Sequence, residues 1–214
     1  MAKIKNRNYR KFLDEGMIDL IGNEEIKLAL ANVKGRYKKE GRALLICAYA
    51  TGARPVEYLQ LKGKNIRREK HEIYIKLPAA KNGLPRDIPI SIRRMPFVVE
   101  LYKYAVSCMP DMFIFWHFRT NGYRRLRKLK SGEIREYIEY TDSLRYHFNK
   151  WFEGVIPGSI SPYFLRHNRF SKMMTKGATT EQVRLWKGSK TLASVSPYAH
   201  LSKEMAQKAS KFVD

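Results

Sequence analysis

Apolar residues recur at helical spacing over most of this chain and alternate over only two short stretches. Ile26, Leu30, Val33 and Tyr37 follow one helical face, with Asn23 as the expected N-cap and Glu24 and Glu25 at the positive helix end. Gly41 is expected to break that pattern, and a second helix runs from about Arg42 to Thr51 and stops at Gly52. A short helix after Arg54 carries Tyr58, Leu59 and Leu61. Glu72 to Leu77 alternates as a strand, Asn82-Gly83 marks a turn, and Arg86 to Ile90 is a second strand whose Pro89 puts it at a sheet edge. Pro96 opens a helix to about Ser107, and Thr141 caps one with Leu144, Phe148 and Trp151 on a single face. A loop from Gly154 to Pro162 leads to a helix carrying Arg166. Further helices begin near Thr179 or Thr180 and at Ser202, the last ending near Phe212. Trp116 and Trp151 are both expected in the core. The predicted fold class is mainly α with a small antiparallel β-sheet.

Charge changes the picture most. Lys plus Arg outnumber Asp plus Glu by 42 to 20, for a net charge of +22 over 214 residues. Such an excess favours a polyanionic partner, double-stranded DNA first, and binding that weakens with salt. With 44% hydrophobic residues the chain can bury a core, so it is not a disordered basic tail. Residues 1–20, basic and then weakly apolar, are expected to form an N-terminal arm or linker. The densest basic run lies over 117–135, where Arg119, Arg124, Arg125, Arg127, Lys128 and Lys130 crowd around Tyr123. It reads either as a solvated loop or as a DNA-facing excursion that contacts phosphates.

Several function classes drop out. No apolar stretch approaches the ~20 residues of a membrane span, and the N-terminus has no apolar signal core, so a cytoplasmic protein is expected. Cys47 and Cys108 are the only cysteines, and Cys47 sits in an apolar helical run as a small buried hydrophobe. His71, His117 and His147 have no metal-ligand spacing, and no Gly-rich phosphate loop is present. Neither a metal nor a nucleotide cofactor is expected.

Two guanidiniums can clamp one phosphate and a phenol beside them can attack it, and on a chain of net charge +22 the natural phosphate is one in a nucleic-acid backbone. Breaking a phosphodiester without a metal requires cations on the non-bridging oxygens, an in-line nucleophile and an acid for the departing 5′ oxygen. Arginine's planar fork suits the first task better than lysine. Arg54 and Arg166 can supply the fork, Tyr198 the nucleophile and Lys81, at the tip of the expected hairpin, the acid. Glu57 is placed to orient Arg54 through an ion pair.

These residues lie in settings that resemble the tyrosine recombinases, or phage-type integrases. Thr51 to Leu59 (Thr-Gly-Ala-Arg-Pro-Val-Glu-Tyr-Leu) looks like the family's first arginine box, with Arg54 matching its catalytic arginine and Glu57 its acidic residue. Lys81 to Ile90 looks like the family's β-hairpin, with lysine first, arginine sixth and proline ninth, so Lys81 matches the catalytic lysine. Leu165-Arg166-His167 resembles the second arginine box and Tyr198-Ala199-His200 the Tyr-x-His at the nucleophile, 32 residues after Arg166. The resemblance spans about residues 20–212. It implies a tyrosine recombinase catalytic-domain fold over 21–214 and a site-specific recombinase acting through a 3′-phosphotyrosyl link. It also implies a tetramer on DNA, weakly associated or monomeric without it, with the helix at 202–212 docking in trans. Family members usually carry an N-terminal core-binding domain of roughly a hundred residues. About 50 residues precede Arg54 here, so that domain is expected to be absent.

Two positions depart from the family pattern. Tyr163 stands where a histidine usually precedes the second arginine by three residues, a form similar to some integrases of archaeal viruses and plasmids. Ser189 stands where a histidine or tryptophan usually precedes the nucleophile by nine. Tyr163 can donate a hydrogen bond, but an ordinary phenol pKa of ~10 makes it a poor base. Ser189 donates more weakly than an imidazolium, and Lys187 or Lys190 could take over its task. His167 and His200 fit family positions and could equally pack or hydrogen-bond beside the site. A type IB topoisomerase-like relaxase, a DNA-binding regulator with an inactive site and a basic RNA-binding protein are the alternatives.

Overall fold

The computed structural model describes residues 21–79, 83–120, 123–128, 134–139, 141–196 and 198. The expected arm over 1–20, the expected hairpin tip with Lys81, and Lys130, His200 and the helix expected at 202–212 lie outside these residues. The described part is mainly helical, with a three-stranded antiparallel sheet and a separate strand pair.

Helix α1 spans Asn23–Asn32 and α2 spans Lys38–Thr51. The cap of α1 is Gly22, not Asn23: Glu25 reaches back to accept from the Gly22 amide at 2.6 Å. The Asn23 amide instead donates to the Arg94 carbonyl. α1 also stops before Val33; Val33 is buried all the same, while Tyr37 is exposed. Gly41 does not break the pattern but lies inside α2. A Cβ there would meet Val33 Cγ1 at 3.0 Å and Trp151 Cζ2 at 3.1 Å, so glycine serves close packing. Ala43 to Ala50 are all buried, as expected of a central helix enclosed on every side. Gly52 ends it in a left-handed conformation at φ 60°.

A one-turn helix, α3 (Pro55–Tyr58), follows, then β1 (Ile66–Glu69), β2 (Glu72–Leu77) and β3 (Arg86–Ser91) in that sheet order. Register pairs Ile73 with Ile90 and Ile75 with Ile88, all buried, and Pro89 lies on an edge strand as predicted. β1 escaped the sequence reading because Ile-Arg-Arg-Glu buries only its isoleucine. Helix α4 (Val98–Ser107) packs on α2, and α5 (Trp116–Thr120) follows. Trp116 is 49% exposed, against the expected core position, whereas Trp151 is buried. The basic stretch read as an irregular excursion forms an antiparallel pair, β4 (Tyr123–Lys128) with β5 (Ile134–Glu139). Helix α6 (Thr141–Trp151) buries Leu144, Phe148 and Trp151. Helix α7 (Pro162–Thr175) is capped by Ser161, whose hydroxyl accepts from the Phe164 amide, and α8 (Thr180–Lys187) by Thr179.

Most buried apolar residues form one core around α2. Phe170, Met174, Val183, Val195 and Tyr198 form a second, smaller one between α7, α8 and the segment after it. That second core seats Tyr198.

Candidate active site

The end of α2 and the start of α3 aim Arg54. Gly52 turns the chain, and Pro55 both opens α3 and pushes Arg54 into an extended conformation (φ −73°, ψ 151°). Glu57, one turn on, accepts from the Arg54 amide at 2.7 Å and from its guanidinium at 3.2 Å. The Glu57 carboxylate is fully buried. Arg86, on β3, binds both of its oxygens, Nη1 to Oε1 at 3.0 Å and Nη2 to Oε2 at 2.9 Å. Burial alone would raise this carboxyl's pKa; the Arg86 fork, the Arg54 amide and the Arg166 charge outweigh it and hold Glu57 ionised below the usual carboxylate range.

Arg166 comes from α7 and is 4% exposed. Its Nη1 donates to the Gly52 carbonyl at 2.7 Å and stands 3.8 Å from Glu57 Oε2; its Nη2 is buried without a hydrogen-bond partner. Burial, with the nearby charge of Arg54, pulls its pKa down to about 10, so it stays cationic at neutral pH. Three arginines thus surround one carboxylate. Their surplus charge, with an unsatisfied donor on Arg166, makes the cluster a receptor for an anion.

Tyr198 stands beside this cluster. Its ring is 1% exposed, and its hydroxyl lies 2.5 Å from His167 Nδ1. Burial pushes the Tyr198 phenol up to about 12, with the Arg166 charge opposing, so the phenol keeps its proton. Burial, then the charges of Arg166 and Lys187, bring His167 down to about 4. His167 is therefore a neutral imidazole accepting the phenolic proton. Lys187, from the last turn of α8, is buried too; its ammonium donates to the Ser194 carbonyl and lies 5.4 Å from the centre of the Tyr198 ring. Burial, then the Arg166 and Arg54 charges, lower it to about 8.

The other expected residues sit apart from this cluster. Tyr163, one turn before Arg166 on α7, is exposed and makes no side-chain hydrogen bond among the described residues. Ser189 is turned into its own loop, donating to the Thr191 carbonyl at 3.2 Å and accepting from Ser194 Oγ at 2.6 Å. Lys190 is exposed. Arg119 stacks on Phe113 at 3.9 Å, and Arg124, Arg125, Arg127 and Lys128 lie on β4. Sequence reasoning missed the Arg86 fork and the burial of Lys187. Among the described residues, no group of His, Cys, Asp or Glu could hold a metal ion, and no helix is long and apolar enough to cross a membrane.

Comparison with known proteins decides the family. The sequence matches the phage integrase family over residues 20–205. The chain belongs to that family. No curated protein sequence matches it. Among solved structures it is similar to the XerH site-specific recombinase bound to palindromic difH substrate in a post-cleavage complex (18% identity, 89% of this chain and 52% of that one, TM-score 0.60). It is also similar to XerA recombinase (12% identity, 88% and 61%, TM-score 0.58). A third likeness is to the Tn1549 transposon integrase in complex with circular intermediate DNA (14% identity, 91% and 66%, TM-score 0.52). The chain spans about half the length of the XerH structure. At these identities the likeness establishes the fold: this phage integrase family member has the tyrosine recombinase catalytic-domain architecture expected from its motifs.

Proposed function

We propose that the protein is a site-specific DNA recombinase that cleaves and rejoins double-stranded DNA through a 3′-phosphotyrosyl intermediate at Tyr198. The observation that carries this is the seating of the Tyr198 hydroxyl on a neutral imidazole next to an arginine cluster with an unsatisfied, buried donor. Arg54 and Arg166 bind the non-bridging oxygens of the scissile phosphate, which Arg54, 36% exposed along its side chain, meets first. The Tyr198 oxygen bonds to phosphorus as the bond to the 5′ oxygen breaks. The phenolic proton passes to His167, and Lys81 protonates the leaving 5′ oxygen. The 5′-hydroxyl of a partner strand reverses these steps. Because Tyr198 is sheathed in the second core, DNA binding has to open that core so that the phosphate meets the hydroxyl while His167 still accepts its proton. Lys187, rather than Ser189, supplies the cation that the family's second histidine would otherwise provide. Tyr163, exposed one turn before Arg166, is proposed to donate to the same phosphate, and the Tyr163-x-x-Arg166 form favours the likeness to integrases of archaeal viruses or plasmids. On this reading residues 21–214 form one catalytic domain that works as a tetramer on DNA, with a helix expected over 202–212 docking in trans.

The test is incubation with DNA carrying two candidate attachment sites. A recombinase gives joined products that vanish in Tyr198→Phe. Supercoil relaxation without joined products would place the protein with the type IB relaxases, and DNA binding without any strand breakage would make it a regulator.

A further inference from the structure

We infer that Arg86 is a positioning residue: by saturating the Glu57 carboxylate it leaves Arg54 and Arg166 free to hold a phosphate. The inference rests on the reading under Proposed function for its catalytic consequence, but not for its anion-binding one. Glu57 offers two oxygens to three arginines. Arg86 takes both at 3.0 and 2.9 Å, while Arg54 is left with one contact at 3.2 Å and Arg166 stands off at 3.8 Å. A fork-to-fork pair is the strongest geometry a carboxylate and a guanidinium can adopt. Without Arg86, the buried Glu57 would be short of donors and would draw in the nearest guanidiniums. Those belong to Arg54 and Arg166.

The placement of Arg86 is built rather than incidental. Its side chain is 7% exposed, and its Nε donates to the Trp186 carbonyl at 2.7 Å, at the end of α8 next to Lys187. It passes directly over Gly188, where an added Cβ would lie 2.6 Å from Nη1 and 2.9 Å from Cδ. The Leu84 amide donates to the Gly188 carbonyl beside it, at 2.9 Å. One guanidinium thereby ties β3, the start of α3 and the end of α8 together around the anion receptor. The Trp186 indole adds a parallel tie, donating to the Thr51 carbonyl at 3.0 Å.

The test compares Arg86→Gln, Arg86→Lys and the double variant Arg86→Gln with Glu57→Gln. Inorganic phosphate is titrated against each protein and followed by the side-chain NMR signal of Arg166; adduct formation on a nicked duplex is measured alongside. Arg86→Gln should weaken phosphate binding and slow adduct formation by about tenfold or more, in line with the sensitivity of phosphate chemistry to positioning. Arg86→Lys, which keeps the charge but not the fork, should fall between. Neutralising Glu57 in the Arg86→Gln background should recover most of both losses, because glutamine still caps α3 but no longer attracts the arginines. If Arg86 only braces the fold, the double variant will be no better than Arg86→Gln and thermal stability will fall in step with binding; that result overturns the inference. So would phosphate binding indifferent to Arg86, with Arg86→Lys keeping the comparison open should Arg86→Gln not fold. Wild-type protein that binds phosphate in an Arg86-dependent way yet forms no adduct would instead sink the recombinase reading and leave the inference standing.

Discussion

His167 and Lys187 are the residues whose protonation the site has moved furthest from its ordinary value near neutral pH. His167 titrates near 4 when folded and near 6.5 otherwise. Between those values the unfolded chain binds more protons, so stability falls as pH drops from 6.5 to 4, by an amount on the order of 3 kcal/mol. Denaturant melts at a series of pH values should show this loss in the wild type and a shallower one in His167→Asn. For Lys187 the window is alkaline: a folded value of about 8 against 10.5 means stability gained from this residue as pH rises between them. The same proton is the cation proposed to serve the reaction. Adduct formation per encounter, which reports the free enzyme, should therefore decline above pH of about 8. Lys187→Arg should move that decline upward, and Lys187→Met should slow the reaction below pH of about 8 and remove the decline above it.

At the scale of elements, Gly41 shows where local reading fails. Glycine is a poor helix former by about 1 kcal/mol, yet α2 runs through it because Val33 and Trp151 close on its Cα. Gly41→Ala gains that helix propensity but overpacks a contact, a cost of roughly 1–3 kcal/mol. A net destabilisation of about 1 kcal/mol is expected in chemical denaturation, against the rise expected of an exposed site. Elements set by their own residues were legible: β2 by alternation, β3 by Pro89, α8 by its Thr179 cap, and the Arg54 segment by Gly52 and Pro55. β1 and the β4–β5 pair were not, since charged strands lack the apolar alternation that marks a half-buried one. The site divided the same way. Arg54, Glu57, Arg166 and Tyr198 announce themselves in short motifs. The Arg86 fork joins residues 29 apart and its bond to Trp186 spans 100, so each exists only once β3 has closed on α8. The β4 charges also have a prediction at this scale. Replacing Arg124, Arg125, Arg127 and Lys128 by glutamine should lower the slope of log affinity against log salt by about 3–4, if each touches phosphate with the usual ~0.9 per contact. An unchanged slope would return this strand pair to the role of a solvated surface.

The whole molecule combines a net charge of +22, one large core and a smaller one that hides a tyrosine beside a cluster of arginines. Charge of that size favours a polyanion regardless of its sequence, in keeping with the proposed DNA partner. The proposed chemistry depends on DNA exposing Tyr198 from a seat in which burial holds its proton at a value of about 12. An apoprotein with a sheathed nucleophile should be inert towards small phosphodiesters and act only on DNA that loosens the second core. The most direct measurement is covalent trapping on a nicked duplex carrying a candidate attachment site, followed by peptide mapping of the linked residue. The expected result is a 3′-phosphotyrosyl peptide at Tyr198, absent in Tyr198→Phe while DNA binding persists. An adduct at any other residue, or one that survives that substitution, would contradict the account.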